Sequence, residues 1–139
     1  VVNADAVFEA DLNDVASTFF SSGADALWMT TREPLYAQLR VVETSEGGHL
    51  SGISKGARDE GATFCGVHLA THGLLAKLPR GVSCVVRDGY LPWVSEGAKV
   101  LTWETKGFWA DTGTPERYID AHRRGLNALA RWRRLGVLD

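Results

Sequence analysis

Short apolar runs alternate with amphipathic stretches along the chain, and this pattern predicts an α/β fold. The apolar, β-branched and aromatic runs predict strands at residues 1–5, 26–30, 39–43, 49–53, 62–69 and 98–104. Residues 11–20 instead repeat their apolar positions at helical spacing, with Asp11 as the N-cap and Gly23 as the C-terminal stop. Strands and helices that alternate in this way pack as a sheet covered by helices.

The order of these elements predicts a largely parallel sheet. The strand at 1–5, the helix at 11–20 and the strand at 26–30 form a crossover unit, whose two strands are expected to run parallel with a right-handed connection. The next two strands flank a glycine turn at 46–48 and predict a hairpin that projects from the sheet as an antiparallel excursion. We therefore expect a Rossmann-like mixed sheet, mainly parallel and flanked by helices.

The second half of the chain predicts two further helices. A short one over residues 71–78 is stopped by Pro79, and a long one runs from Thr114 to about Arg134. The long helix carries one apolar stripe, and such a stripe faces the core in most surface helices. The stripe consists of Tyr118, Ile119, His122, Leu126 and Leu129. We expect His122 to be a core or boundary residue rather than a catalytic one.

Composition and charge limit the partners of the chain. Its 139 residues are 45% hydrophobic and 23% charged, which indicates one ordinary soluble domain or part of a larger one. The net charge of −2 gives no general attraction to nucleic acid or to an anionic membrane. No apolar run approaches the roughly 20 residues that a membrane span needs. The arginines near the end suit a solvated helix face; they are Arg123, Arg124, Arg131, Arg133 and Arg134.

The two cysteines predict buried thiols. Cys65 and Cys84 lie in apolar surroundings, without C-x-x-C spacing or a nearby pair of histidines. A disulfide or a metal site is therefore less expected than two core side chains. This pattern, with no signal segment, favours a reducing, cytoplasmic location.

Asp111 marks the most informative point of the chain. It lies where the extended run at 98–104 and the residues after it give way to the helix that begins at Thr114. In open α/β sheets ligands bind in the crevice beyond the carboxyl ends of strands, so a carboxylate and a glycine turn there form a candidate site. The alternative is that Asp111 only hydrogen-bonds its own turn.

Asp5 is the second candidate, because it also ends a predicted strand and precedes a turn. Two carboxylates far apart in sequence could thus converge at one edge of the sheet. Mg²⁺ takes oxygen ligands and commonly uses one or two protein carboxylates, while phosphates and water fill its other positions. Asp5 and Asp111 therefore have the chemistry of a magnesium site.

The motifs around these two residues carry a resemblance to a known family. The run Trp-Ala-Asp-Thr-Gly-Thr-Pro at 109–115, followed by Glu-Arg-Tyr-Ile-Asp-Ala, resembles the late W-x-D-x-G-T-P motif of sugar-1-phosphate nucleotidyltransferases. Asn-Ala-Asp at 3–5 is similar to the N-G-D or N-A-D end of the family's middle strand. The mannose-1-phosphate guanylyltransferases and N-acetylmuramate-1-phosphate uridylyltransferases belong to this class of NDP-sugar pyrophosphorylases.

This resemblance implies a reaction and a domain organisation. It implies the nucleotide-diphospho-sugar transferase fold, Mg²⁺ held by Asp5 and Asp111, and transfer of NMP from an NTP to a sugar 1-phosphate. Residues 1–139 would be the C-terminal portion of one catalytic domain whose N-terminal segment is missing. Nothing in the sequence resembles the glycine-rich loop that cradles the triphosphate, and there is no P-loop. The chain alone is therefore expected to be incomplete for activity.

Further site residues are implied by the same resemblance. Lys55, in Ser54-Lys55-Gly56, is similar to the lysine of the family's E-K-P motif, which holds the phosphate of the sugar 1-phosphate, although the acidic residue and the proline are absent. Without the resemblance Lys55 would be assigned to the surface. Ala37 stands where the family often has glycine against the sugar, Gly66 matches a glycine near the sugar, and Glu43 is also assigned to substrate binding. From the residues alone, Gly66 can equally be a packing glycine or a bulge.

Two other kinds of protein stay open from the sequence. One is a non-catalytic relative that binds sugar nucleotide or regulates a partner, which the loss of the acidic residue at Ser54 favours; the other is a structural or carbohydrate-binding module. The nucleotide, the sugar and the presence of a homo-oligomer are also left open.

Overall fold

Strands and helices alternate along the computed structural model, which describes residues 1–33, 41–54 and 61–134. The strands are β1 Ala6–Phe8, β2 Ala26–Thr31, β3 Val41–Thr44, β4 Leu50–Ser54, β5 Ala62–Ala70, β6 Val100–Glu104 and β7 Trp109–Asp111. The α-helices are α1 Leu12–Ser22, α2 His72–Leu75, α3 Leu91–Ser95 and α4 Pro115–Arg134. A π-helical segment, Val85–Tyr90, leads directly into α3. Helix α2 is shorter than its sequence predicts.

Helix α1 forms as the sequence predicts, with both end signals in use. The Asp11 side chain accepts hydrogen bonds from the backbone N–H groups of Asn13 and Asp14, which satisfies donors that the first turn leaves unpaired. Gly23 ends the helix in the left-handed conformation, with φ of 64°. The helix buries Val15 and Phe19 against the sheet.

The main sheet is mixed, as predicted, in the order β4-β3-β5-β2-β6. Within the described residues only β2 and β6 pair in parallel, and the other pairs are antiparallel. The expectation of mainly parallel strands is therefore wrong. The reason is that the hairpin β3–β4 forms one edge of this sheet instead of projecting from it, and β5 returns between β3 and β2.

The predicted first strand is reduced to one bridge, between Val2 and Val67 of β5. A turn at residues 4–5 then diverts the chain, so that Asp5 lies ahead of β1 instead of at the end of a strand. Strand β1 leaves the main sheet and pairs antiparallel with β7 in a separate two-stranded ribbon. The first strand of the expected crossover unit therefore does not pair in parallel with β2.

The central strand β2 is buried at all six positions and divides the core into two layers. On one side Trp28 stacks on Phe64, with ring centroids 4.2 Å apart, and meets the edge of Tyr90 at 4.9 Å. On the other side Leu27 packs against α1, and Met29 packs against Trp109 of the ribbon. Large aromatic side chains in both layers supply much of the apolar area that the fold removes from water.

Helix α4 has the predicted limits but buries a different face. Ala121 and Ala128 are buried, whereas the whole apolar stripe is exposed. The expectation that the stripe faces the core, with His122 as a core or boundary residue, is wrong. The physical reason is that the alanine face lets the helix lie close to β7.

The two cysteines differ in their surroundings. Cys65 is buried, as predicted, and burial raises the pKa of its thiol. Cys84 is exposed, because it lies just before the π-helical segment at the surface, so the prediction of a core thiol there is wrong. In the part of the chain that the structure describes, no helix is both long and apolar enough to cross a membrane.

Candidate active site

The ribbon of β1 and β7 brings Asp5 and Asp111 together. Ala6, which follows Asp5, pairs directly with Asp111 across the ribbon. Thr112 ties the two segments further, because its backbone N–H and its hydroxyl both donate to the carbonyl oxygen of Asp5, at 2.8 and 3.0 Å. Two residues that are far apart in sequence are thus fixed side by side.

Both carboxylates border the same small space, over Gly113. A Cβ atom on Gly113 would lie 3.1 Å from Oδ1 of Asp111 and 3.2 Å from Oδ2 of Asp5. Asp5 and Asp111 therefore approach each other as predicted, but at the separate ribbon of β1 and β7 instead of at an edge of the main sheet. Any larger residue at position 113 would intrude between the two carboxylates.

The Asp111 carboxylate already has partners within its own segment. Its Oδ1 accepts a hydrogen bond from the backbone N–H of Gly113 at 2.8 Å, and its Oδ2 accepts one from Nη1 of Arg117 at 3.1 Å. The turn hydrogen bond that the sequence left open as an alternative is thus present. It does not exclude a site, because a carboxylate oxygen can accept more than one partner.

Trp109 anchors β7 to the main sheet. Its indole Nε1 donates to the carbonyl oxygen of Cys65 at 2.9 Å, and its ring is buried against Met29 and Val67. The tryptophan of the W-x-D motif therefore has a structural role, because it fixes the strand that ends at Asp111.

Gly66 lies at a bulge of β5, where the register against β2 shifts. Its φ is 75°, and a Cβ atom there would lie 2.8 Å from Nδ2 of Asn3. The backbone N–H of Asn3 also donates to the carbonyl oxygen of Gly66 at 2.8 Å. The packing role that the sequence left open for Gly66 is therefore present, and the missing side chain makes room for Asn3. Its contact with substrate stays a prediction.

Glu43 is not brought to this point. Glu43 lies on β3, where its carboxylate covers Gly52 of β4 and lines a separate open cleft of about 500 Å³ with Arg32 and Ser51. Lys55 and Ala37 lie outside the described residues. Their assigned roles, and that of Glu43, stay predictions.

Three residues of the site were not singled out from the sequence. Thr112 and Asn3 act through backbone contacts that depend on distant segments, and no local pattern indicates them. Arg117 had a signal, because an arginine in the first turn of a helix opposes the helix dipole and therefore suggests a carboxylate partner close by. That partner is Asp111.

The carboxylates of Asp5 and Asp111 fit a Mg²⁺ ion whose other ligands do not come from the protein. Across the described ranges, no three His, Cys, Asp or Glu side chains are grouped closely enough to hold a metal alone. A pair of carboxylates at an exposed edge suits an ion that keeps waters and takes phosphate oxygens as its other ligands. Asp5 and Asp111 are the residues that would hold it.

Two solved structures share the fold of this chain. HddC from Yersinia pseudotuberculosis, in complex with GMP-PN, superposes with a TM-score of 0.74 at 20% identity, over 89% of this chain and 53% of that one. A protein named as a putative glucose-1-phosphate thymidylyltransferase from Bacillus anthracis, in complex with a sucrose, gives a TM-score of 0.65 at 18% identity, over 94% and 53%.

These similarities show the fold of this chain and the share of each solved structure that it covers. The chain spans about half the length of both solved structures. No protein-family model matches the sequence, and no curated protein does. The mixed α/β fold predicted from the sequence is confirmed by the structural neighbours.

Proposed function

We propose that this chain is the later part of a nucleotidyltransferase catalytic domain, which transfers NMP from an NTP to a sugar 1-phosphate and releases pyrophosphate. The observation that carries the proposal is the pair of carboxylates, Asp5 and Asp111, that border one space over Gly113. The fold supports it, because one structural neighbour is named as a putative glucose-1-phosphate thymidylyltransferase.

The two carboxylates hold Mg²⁺ in this proposal. When bound, the ion neutralises phosphate charge and helps to orient the reacting groups for in-line displacement. The Gly113 N–H and Arg117 fix the orientation of the Asp111 carboxylate, and Thr112 fixes the backbone of Asp5. A site that is held in place before substrate arrives needs little rearrangement during the reaction.

Substrate binding is assigned to four further residues on the resemblance alone. In this proposal Lys55 would contact the phosphate of the sugar 1-phosphate, and Gly66, Ala37 and Glu43 would contact the sugar. The proposal leaves the nucleotide and the sugar open. It also assigns recognition of the base and the triphosphate to a segment that these 139 residues do not supply.

One specific observation favours a second function, a relative that binds sugar nucleotide without catalysis. The sequence Ser54-Lys55-Gly56 keeps the cation and lacks the acidic residue that the family has beside it. Such a relative would bind ligand through Lys55 and release no pyrophosphate.

The discriminating variant is Asp111→Asn. Asparagine keeps the size and the turn hydrogen bond, so a purely structural Asp111 should tolerate it at a cost of about 1 kcal/mol in the free energy of unfolding. A metal ligand should not, and we expect Mn²⁺ binding to be lost and any pyrophosphate release to fall about a hundredfold. Mn²⁺ titration and a melting curve of this chain, and a coupled pyrophosphate assay of the complete enzyme with GTP, UTP, dTTP or CTP, measure these effects.

Asp88→Asn is the matched control. The Asp88 carboxylate also pairs with an arginine, Arg87, and accepts a backbone N–H, that of Cys84, but it lies in the π-helical segment away from the site. Its loss should leave Mn²⁺ binding unchanged. Equal Mn²⁺ binding by wild type, Asp111→Asn and Asp5→Asn would overturn the metal site. In the complete enzyme, ligand binding without pyrophosphate release would favour the second function.

A further inference from the structure

The exposed stripe of α4 is a surface that the proposed active site does not use. We define the α4 stripe as Ile119, His122, Leu126 and Leu129, with Tyr118 at its edge. Tyr118 and Ile119 are 53% and 52% exposed, and Leu126 and Leu129 are 66% and 37% exposed. The opposite face of the helix packs on the domain through its alanines, so the stripe points away from the body of the protein.

The spacing of the stripe is that of a helix-pairing seam. Its members follow each other at intervals of three, four and three residues, which is the a/d pattern that a second helix fills. The rings of Tyr118 and His122 already contact each other, with centroids 4.3 Å apart, and form an aromatic edge beside the seam. The shape of the surface therefore fits a helix.

Gly125 gives an independent indication of close approach by a helix. Glycine in a helix interior is unfavourable relative to alanine. A Cβ atom at Gly125 would meet nothing within 4 Å, so no contact within the described residues requires glycine there. Gly125 directly precedes Leu126 of the stripe, and a missing side chain at that point lets a second backbone come near.

We propose that the α4 stripe binds the α4 stripe of a second copy of this chain, with the two helices antiparallel. Charge selects this arrangement, because Glu116 lies in the first turn of α4 and Arg133 in its last turn, both exposed. An antiparallel pair places the acidic end of one helix beside the basic end of the other. A parallel pair would place like charges together.

The seam also fixes the register. A two-fold axis beside Arg124 brings Ile119 opposite Leu129 of the second copy, and His122 opposite Leu126 of the second copy. The same axis places Gly125 near Gly125 of the second copy. Arg123 then approaches Arg123 of the second copy and adds an unfavourable charge to this interface.

The size of the α4 stripe sets the expected strength of the dimer. One helix face buries less than the roughly 1,600 Å² of a standard stable interface, so the dimer should be weak and should dissociate on dilution. The proposal uses no residue of the active site and stands independently of the proposed function.

The test is sedimentation velocity of the 139-residue chain between about 1 µM and about 1 mM, which brackets the dissociation constants of small interfaces. We expect a monomer–dimer equilibrium that Leu126→Lys shifts to monomer by at least about tenfold in the dissociation constant. Val82→Lys is the matched control, because Val82 is a fully exposed apolar residue outside the stripe. Arg123→Ala should tighten the dimer, and circular dichroism should show that each variant is folded.

Cross-linking distinguishes the register. In a Cys84→Ser background, Ile119→Cys combined with Leu129→Cys should form disulfide-linked dimers, whereas Ile119→Cys alone should not. A monomer at every concentration would overturn the proposal. A dimer that Leu126→Lys does not weaken, or one that Ile119→Cys alone cross-links, would also overturn it.

Discussion

Asp111 has a cation beside it in the folded chain before any metal ion arrives. Arg117 donates to its Oδ2, while the Gly113 N–H holds its Oδ1. An arginine in this place orients the carboxylate and also opposes a second positive charge. In the proposed site, Arg117 therefore has two opposing effects: it orients the Asp111 carboxylate, and it weakens metal binding through charge repulsion.

Arg117→Gln separates these two effects. Removal of the guanidinium removes like-charge repulsion of about 1 kcal/mol at a nearly solvated distance, so Mn²⁺ should bind about fivefold more tightly. The free energy of unfolding should fall by less than about 1 kcal/mol, because the lost ion pair is partly exposed. Calorimetric titration with Mn²⁺ and urea unfolding measure the two quantities.

Arg87→Gln is the corresponding control, since Arg87 also pairs with an aspartate but lies in the π-helical segment. It should change neither quantity by a comparable amount. Weaker Mn²⁺ binding by Arg117→Gln would show that orientation of Asp111 outweighs repulsion and would contradict the expected sign.

At the residue scale, the sequence indicates the carboxylates and misses what holds them. Asp111 is recognisable because its motif is local, with a strand before it and a capped helix after it. Thr112 and Asn3 are not, because their partners, the Asp5 carbonyl and Gly66, come from segments that only the folded chain brings close.

Among the elements, β5 joins the core to the site through its bulge. Gly66 there adopts positive φ, and Asn3 fills the space of its absent side chain. The chain ahead of Asp5 is thereby attached to β5 just before the turn that leads into the ribbon.

Gly66→Ala should destabilise the fold by about 2 kcal/mol, because alanine is strained at positive φ and its methyl group meets Asn3. Gly73→Ala is the control, since Gly73 lies in α2 and a Cβ there would meet nothing within 4 Å. Urea unfolding measures both variants. Asn3→Ala should not rescue Gly66→Ala, and full rescue would mean that crowding alone, and not backbone strain, requires this glycine.

Helix α4 shows why the limits of an element are easier to predict than its buried face. Thr114 and Pro115 are local signals, and the helix begins where they place it. Its buried face carries the small residues Ala121 and Ala128, while the larger apolar residues stay outside. Hydrophobicity ranks the larger residues first and so indicates the wrong side.

Over the whole molecule, the sequence predicts which segments are strands better than which strands pair. The central strand β2 is recognisable from its continuous apolar run, as are the hairpin and β5. The order of these strands in the sheet is not recognisable, because β5 lies between β3 and β2 and pairs antiparallel with both. Pairing of this kind is decided by long-range packing around Trp28 and by the diversion of the chain at residues 4–5.

The buried pair of His68 and Tyr90 makes the stability of this core depend on pH. Nδ1 of His68 lies 2.6 Å from the Tyr90 hydroxyl, and within the described residues Nε2 of His68 has no hydrogen-bond partner. Burial lowers the pKa of His68 to about 4. Burial also raises the pKa of Tyr90 to about 12.

Acidification should therefore destabilise the fold over a defined range. An unfolded histidine titrates near a pKa of about 6.5, so between that pH and the folded pKa of about 4 the unfolded chain binds more protons than the folded one. The free energy of unfolding should fall as the pH drops through this interval, and the His68 contribution to that slope should vanish above it. Urea unfolding at several pH values checks this, with His68→Phe expected to flatten the slope and His72→Gln, at an exposed histidine, as the control. A slope that His68→Phe leaves unchanged would assign the acid sensitivity to carboxylates and return His68 to a purely apolar role in the core.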